Sequence, residues 1–378
     1  MATTVLGLMS GTSADGVDGV LVKFWGNTQR PSWRLLSSAH HPYPVDLQQR
    51  IVAAGQGKPL PAAAWLQLEQ EITKAQAVCA RAADPKNCAQ LVGCHGQTLW
   101  HQPPHLQLLG SSWQSLNAAA LAEMLQKPVV SNFRAADLAR GGQGAPLVPR
   151  TDQALLPAVG GWRAVLNLGG IANVTLLPPA HGPDQTKPLR GWDCGPANSL
   201  IDLAVQFFSA GARSYDQDGS WALEGKVQEE LLQQWLKEPY LQKAPPKSTG
   251  RELYGRQDLE ARLLSLKKAG IEAAADAIAT LTAFSAAAVA ADLDRGIKPL
   301  ELLISGGGCR NKALMLQLQN RCHGVWVRPL AELGIGHQER EALAFALLAW
   351  WQQRGFAAGI PSVTGAKRCG LLGQLVRP

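Results

Sequence analysis

The first residues able to do chemistry come almost at once. In the stretch Ser10-Gly11-Thr12-Ser13-Ala14-Asp15-Gly16-Val17-Asp18, hydroxyl side chains and glycines stand beside two aspartates. Glycine lets backbone N–H groups come close to a ligand, and successive N–H groups in a turn form a nest for an anion. Ser10, Thr12 and Ser13 add hydroxyl donors, so the run from Gly11 to Asp18 suits a phosphate. Carboxylates repel phosphate, yet Asp15 and Asp18 can hold Mg²⁺ or its waters beside one. The stretch is not a Walker A loop, because G-x-x-x-x-G-K-[ST] is absent and no lysine follows the glycines. The same residues also describe a plain hairpin turn capped by Asp and Ser, and this stretch alone does not decide.

Two further glycine clusters follow: Gly169-Gly170 in NLGGIANVT, and Gly306-Gly307-Gly308 in ISGGGCRN, which ends on Asn311. Glycines after a strand let a base and ribose lie against backbone, and a following helix N-terminus favours phosphate. One cluster says little, but three in this order point to a nucleotide held between two domains. Among the acids, Asp193 in GWDCGPANSLID ends an expected strand ahead of a helix. Such a carboxylate can act as a general base or simply cap a turn. CHGQTLWHQ offers His95, Gln97, Thr98 and His101, with no third ligand nearby for a metal. FRAADLARGGQGAPLVP offers Arg134, Asp137 and Gln143. An arginine is the natural partner of a planar carboxylate ligand, or an ordinary surface residue. Asp216 and Asp218 in SYDQDG begin like a calcium loop, but the x₅-E ending is missing.

These residues need elements to position them. TTVLGLMSG reads as a buried strand and GVLVKF as its return, with TSADGVD at the hairpin tip. SWRLLSSAHHPYP reads as a third strand, residues 62–83 as a helix, and CAQLVGCHGQT as a strand. NAAALAEMLQ then reads as a helix and PVVSNF as a strand. A second series begins near residue 163 with RAVLNLGG, ANVTLLP and PLRGWDCGP as strands and ANSLIDLAVQFF as a helix. LELLISGGG and GVWVRPL complete it. The expected fold class is α/β, with two domains of similar order and the Gly- and Pro-rich stretch 132–162 as crossover.

Composition agrees. The chain has 378 residues, 46% of them apolar and 17% charged, which supports a large core and excludes a disordered chain. Its net charge of +7 suits anionic partners, but lysines and arginines are scattered, so no nucleic-acid partner is expected. The seven cysteines include no C-x-x-C pair and read as reduced thiols of a cytoplasmic protein. The N-terminus lacks the basic n-region and long apolar run of a signal peptide. The alanine-rich IEAAADAIATLTAFSAAAVAADLDRG reads as a packed core helix, so no membrane partner is expected.

GLMSGTSADGVD, GCHGQT, FRAADLARGGQGAPLVP, NLGGIANVT, DCGPANSLID and ISGGGCRN together resemble the anhydro-N-acetylmuramic acid kinase family over nearly the whole chain. The resemblance implies two actin/hexokinase-like (ribonuclease H-like) domains, 1–135 and 136–378, flanking a nucleotide- and sugar-binding cleft. It implies a kinase of peptidoglycan recycling that uses ATP and Mg²⁺ and acts on a small anhydro amino sugar as a homodimer. Gly11 to Asp18 would hold the ATP phosphates, Asp193 would be the base, and ISGGGCRN would face adenosine. His95, Gln97, Thr98, Arg134 and Gln143 would bind the sugar. Glu341 falls on a glutamate of the family's late helix, whereas Gln338 stands where a second acid is expected. A kinase for another sugar, a chaperone-like ATPase and a wall-binding module are the alternatives. A substrate panel, sugar-independent ATP turnover and an export signal, respectively, would favour each.

Overall fold

The computed structural model describes residues 1–105, 108–158, 160–250, 252–336 and 338–378. The chain opens as an antiparallel meander of β1 (Thr3–Ser10), β2 (Gly16–Gly26) and β3 (Pro31–Pro42). On the other side of β1, β4 (Leu91–Gln102) pairs parallel, and β5 (Ser111–Ser115) folds back on β4. β6 (Val129–Ser131) continues the sheet parallel to β4, and the terminal strand Gln374–Val376 closes its edge. The central strands are covered on both faces, which is why β1 reads as an apolar run and not as an alternation. The helix Ala62–Ala83 lies on one face, where a Cβ at Gly19 would stand 2.9 Å from Cys79 Sγ and 3.3 Å from Ala83 Cβ. The helix Glu339–Gln353 lies on the other, seated directly on Gly7 of β1 and Gly93 of β4.

A second sheet repeats the plan. β7 (Arg163–Leu168), β8 (Ile171–Leu177) and β9 (Arg190–Pro196) form a meander, and β10 (Glu301–Ser305) and β11 (Trp326–Pro329) join parallel beside β7. The order β11-β10-β7-β8-β9 matches β6-β4-β1-β2-β3 strand for strand. The duplication expected from element order is therefore a duplication of topology. The helix Ala274–Asp294 is, among the described residues, the one long and apolar enough to cross a membrane. Its side chains instead fill the core of the second sheet's unit, beside β9 and the helix Asn198–Phe208.

The chain divides into two units, Met1–Pro157 with Gln338–Pro378, and Ala158–His337. The boundary expected at 135/136 falls inside the first unit. Linear order hides the reason: the helix Glu339–Gln353 returns to cover the first sheet. Elements outside the sequence expectations include the helices Val45–Gly55 and Arg256–Lys268 and the short polar strand β5.

Candidate active site

In the first unit the hairpin tip is Gly11–Asp15, since Gly16, Val17 and Asp18 already belong to β2 and pair with Pro42, His41 and His40. The turn closes through Ala14 N donating to Gly11 O at 3.2 Å, with Ala14 at φ 52°. Ala14 and Val17 point into the core, while Thr12, Ser13 and Asp15 are exposed. The tip is tied from below. Gln97 Nε2 donates to Gly11 O at 3.0 Å, and Tyr43 N donates to Asp15 O at 3.2 Å. Gln76 Nε2 donates to Ser10 Oγ at 2.7 Å, and that hydroxyl also meets Tyr43 OH at 3.0 Å. The hydroxyls that remain outside are those of Thr12 and Ser13, with Ser13 Oγ donating to Asp15 Oδ1 at 3.1 Å.

Asp18 lies in the strand, 2.8 Å from His40 Nδ1, while Asp15 stays at the tip. Among the described residues no group of three or more acidic, His or Cys side chains is arranged to hold a metal ion. Mg²⁺ beside a nucleotide needs only one or two carboxylates, since phosphate and water complete its shell. An exposed aspartate next to a phosphate-sized turn fits that requirement.

His95 and Gln97, expected on the sugar, are both fully buried. The Gly96 carbonyl, 2.8 Å from His95 Nδ1, places the proton there and leaves Nε2 as acceptor. Arg134 donates to that Nε2 from Nε at 3.2 Å and from Nη2 at 2.8 Å, and from Nη1 to Gly144 O at 2.8 Å. Burial, with the guanidinium beside it, holds His95 well below the usual imidazole range, so it stays neutral and accepts. These contacts use three of the five guanidinium N–H groups. The loop carrying Gly144 is stapled by buried Asp137, whose Oδ2 accepts from Gly144 N and whose Oδ1 accepts from Thr364 Oγ1, each at 2.8 Å. Gln143 is exposed on that loop. Thr98 is half-buried, its hydroxyl accepting from Gln114 Nε2 at 3.3 Å.

Glu341 opens to solvent at the start of the late helix. The protein around it nonetheless displaces enough water to raise its carboxyl, against the pull of Arg340 and Arg134. Beside it, buried Arg340 pairs with buried Asp152, with Nε donating to Oδ1 at 3.1 Å.

In the second unit Asp193 sits in β9, partly exposed. Its Oδ1 accepts from Asn173 Nδ2 at 2.8 Å, and its Oδ2 from Ser248 Oγ at 2.8 Å and Thr249 N at 3.0 Å. Sequence reasoning missed these three partners. Asn173 lies inside the quoted NLGGIANVT, and Ser248 and Thr249 belong to PPKSTG, which only the fold brings to β9. The Gly169–Gly170 turn offers its carbonyls to the helix Asn198–Phe208, taking N–H groups from Ala197, Asn198 and Ser199. The next helix of interest, Lys312–Arg321, is capped by Asn311, whose Oδ1 accepts from Leu314 N at 2.9 Å. The first helix start is thus supplied by the turn's carbonyls, and at the second Asn311 serves as a cap.

The candidate glycines sort into two classes. A Cβ at Gly16 would lie 2.8 Å from Pro42 Cα, one at Gly306 would lie 2.8 Å from Leu168 O, and one at Gly308 would lie 2.6 Å from Leu168 Cβ. These three are glycines so that strands and turns can meet. A Cβ at Gly11 or Gly169 would meet nothing nearer than 3.5 Å, and one at Gly307 nothing within 4 Å. Packing gives no reason for glycine at these positions.

The family model described as anhydro-N-acetylmuramic acid kinase matches residues 3–378. The anhydro-N-acetylmuramic acid kinase of Synechococcus sp. (strain CC9605) is 57% identical over 378 residues, covering 99% of both chains. That of Prochlorococcus marinus (strain MIT 9211) is 48% identical over 379 residues, again covering 99% of both. Among solved structures, the ADPNP-bound activator of the 2-hydroxyisocaproyl-CoA dehydratase from Clostridium difficile is 13% identical, covers 93% of this chain and 96% of its own, and has a TM-score of 0.44. That likeness is too distant to add to the family match.

Proposed function

The chain belongs to the anhydro-N-acetylmuramic acid kinase family, and from that premise we propose that it uses ATP to phosphorylate 1,6-anhydro-N-acetylmuramic acid while opening its anhydro bridge with water. The products are N-acetylmuramic acid 6-phosphate and ADP, a step of cell-wall peptidoglycan recycling in the cytoplasm. The observation that carries the reading is a family match running from residue 3 to residue 378.

The chemistry needs one base. Water attacks C1, a C1–O bond forms, and the C1–O6 bond breaks. O6 takes the γ-phosphoryl group, whose bond to ADP breaks, so the leaving oxygen is captured by phosphorus and not by a proton. Ordinary glycoside hydrolysis needs an acid at that oxygen; here only the attacking water has a proton to lose, and Asp193 takes it. Its three donors orient the carboxylate. The Gly11–Asp15 tip supplies backbone and hydroxyl donors for the phosphates. The guanidinium of Arg134, aimed by His95, suits the sugar's lactyl carboxylate. Gly169 and Gly307 suit the nucleotide. Asp15, with Asp18, would hold Mg²⁺, which supplies charge neutralisation on the transferring phosphoryl group. The active form on this reading is a homodimer.

The test is ADP release by the purified protein with and without the anhydro sugar, alongside Asp193→Asn. Turnover that requires the anhydro sugar and is lost in the variant is the expected result. Turnover with N-acetylmuramic acid instead would keep a kinase and discard ring opening, and equal ATP hydrolysis without sugar would remove the kinase reading.

A further inference from the structure

Asp193 is gripped from a segment 54 to 56 residues away in sequence. That segment is itself fixed by one buried ion pair. Lys247 Nζ lies 2.9 Å from Asp292 Oδ1, with both side chains almost wholly removed from solvent. Asp292 also accepts from Trp192 Nε1 at 3.1 Å and from Arg295 Nη2 at 2.8 Å. Lys247 is held at its backbone too, where its carbonyl accepts from Asp193 N at 3.1 Å, and Tyr240 OH donates to Asp193 O at 2.7 Å. The two residues after Lys247 then present Ser248 Oγ and Thr249 N to the same carboxylate oxygen.

A carboxylate offers about four lone-pair sites. On Asp193 the two of Oδ2 are filled by Ser248 and Thr249, and one of Oδ1 is filled by Asn173. One remains, on Oδ1. A buried ion pair adds little net stability but can fix a single arrangement. Here the fixed arrangement is the aim of a carboxylate.

Resting on the assignment of Asp193 as the base, we propose that Lys247 and Ser248 are positioning residues of the reaction. The Lys247–Asp292 pair pins residues 247–249 so that Oδ2 of Asp193 is saturated and Oδ1 alone receives the proton of the attacking water. Ser248 is exposed, so removing its hydroxyl leaves packing untouched.

The experiment compares Ser248→Ala, Ser248→Thr, the double change Lys247→Met/Asp292→Leu, and Asp193→Asn in the full chain. It reads kcat, the KM of each substrate and the melting temperature. Losing one hydrogen bond to a charged group should lower kcat about tenfold or more in Ser248→Ala. Both KM values and the melting temperature should stay as in the parent, and Ser248→Thr should restore most of the rate. The double change removes both buried charges together and leaves exposed Arg295 to solvent and the Leu241 carbonyl; it should lower kcat likewise, with some loss of melting temperature because Trp192 Nε1 loses its acceptor. Parent-level kcat in Ser248→Ala or in the double change, with Asp193→Asn inactive, would overturn the inference and leave the base in place. An active Asp193→Asn would overturn both.

Discussion

Gly7→Ala should strip the late helix from the first sheet, although glycine and alanine differ by one methyl. A Cβ at Gly7 would stand 2.9 Å from Ala346 Cβ and nearer still to the Ala342 carbonyl oxygen. Carbon atoms rest at about 3.5–4.0 Å, so the helix must retreat by roughly 0.6–1.1 Å to clear the methyl pair alone. Neither side can yield by rotating a side chain, because the obstruction is helix backbone on one side and a central strand on the other. The helix is seated as closely on Gly93, where a Cβ would lie 2.8 Å from Ala349 Cβ. Overpacking costs about 1–3 kcal/mol, and two rigid walls put this site at the upper end. In a unit of about 200 residues, each kcal/mol lowers the melting temperature by about 2–4 °C. The expected shift is therefore about 6–12 °C.

Of the chain's 12 tryptophans, two report directly on this helix, which gives an assay once the other ten are held constant between parent and variant. Trp350 and Trp351 are fully buried in this helix, and Trp350 packs against Phe24 of β2 with ring centroids 5.6 Å apart. Thermal unfolding followed by their fluorescence should show the shift, with a red-shifted native spectrum as the helix lifts. A melting temperature within 2 °C of the parent, with an unchanged spectrum, would refute the seating of this helix on Gly7.

Gly11→Ala and Gly307→Ala should leave the melting temperature within about 1 °C, since an added Cβ meets no close atom. Both should weaken nucleotide binding as measured by calorimetry. Asp152→Ala should cost about 3–5 kcal/mol by taking from buried Arg340 the carboxylate it pairs with, whereas Asp152→Leu/Arg340→Met should cost far less; urea midpoints give the comparison. His95 has a depressed pKa in the folded chain, so its contribution to stability is fully present above about pH 6.5, the unfolded value, and falls as acid protonates the unfolded chain first. Between pH 7.5 and 5.5 the parent should lose about 1 kcal/mol more than His95→Gln, in urea unfolding at both pH values.

Much of the first sheet could be read from the sequence because its central strands are buried on both faces, which leaves long apolar runs between turn residues. The placement of Asp193 was legible from local signals: Asp-Cys-Gly-Pro ahead of a helical pattern puts that residue near the end of a strand. What was not legible depends on atoms across the fold. Gly16, Gly306 and Gly308 look in sequence like Gly11, Gly169 and Gly307, and only the distance to a neighbouring strand separates packing from ligand approach. His95 and Gln97 stand in a polar motif that suggests contact with a substrate, yet burial turns them into supports for Arg134 and Gly11. Ser248 could not be matched to Asp193 by any local pattern, because the pairing depends on a lysine meeting an aspartate on a distant helix.

The duplicated topology also warns against equating corresponding turns. β1–β2 and β7–β8 are the same hairpin in the strand order, and both turns carry glycine, though only the first adds small polar residues. In the first unit the turn is tied from beneath by Gln97 and Tyr43, and its hydroxyls face outward. In the second, the turn turns its own carbonyls to the start of the helix Asn198–Phe208 and uses up that helix's leading N–H groups. A helix start whose donors already have acceptors has little left for phosphate. On the proposed reading, any anion-binding capacity of the repeated hairpin therefore belongs to the first unit's copy. The same hairpin differs in its two copies because the partner of its turn differs, a glutamine side chain in one and a helix in the other.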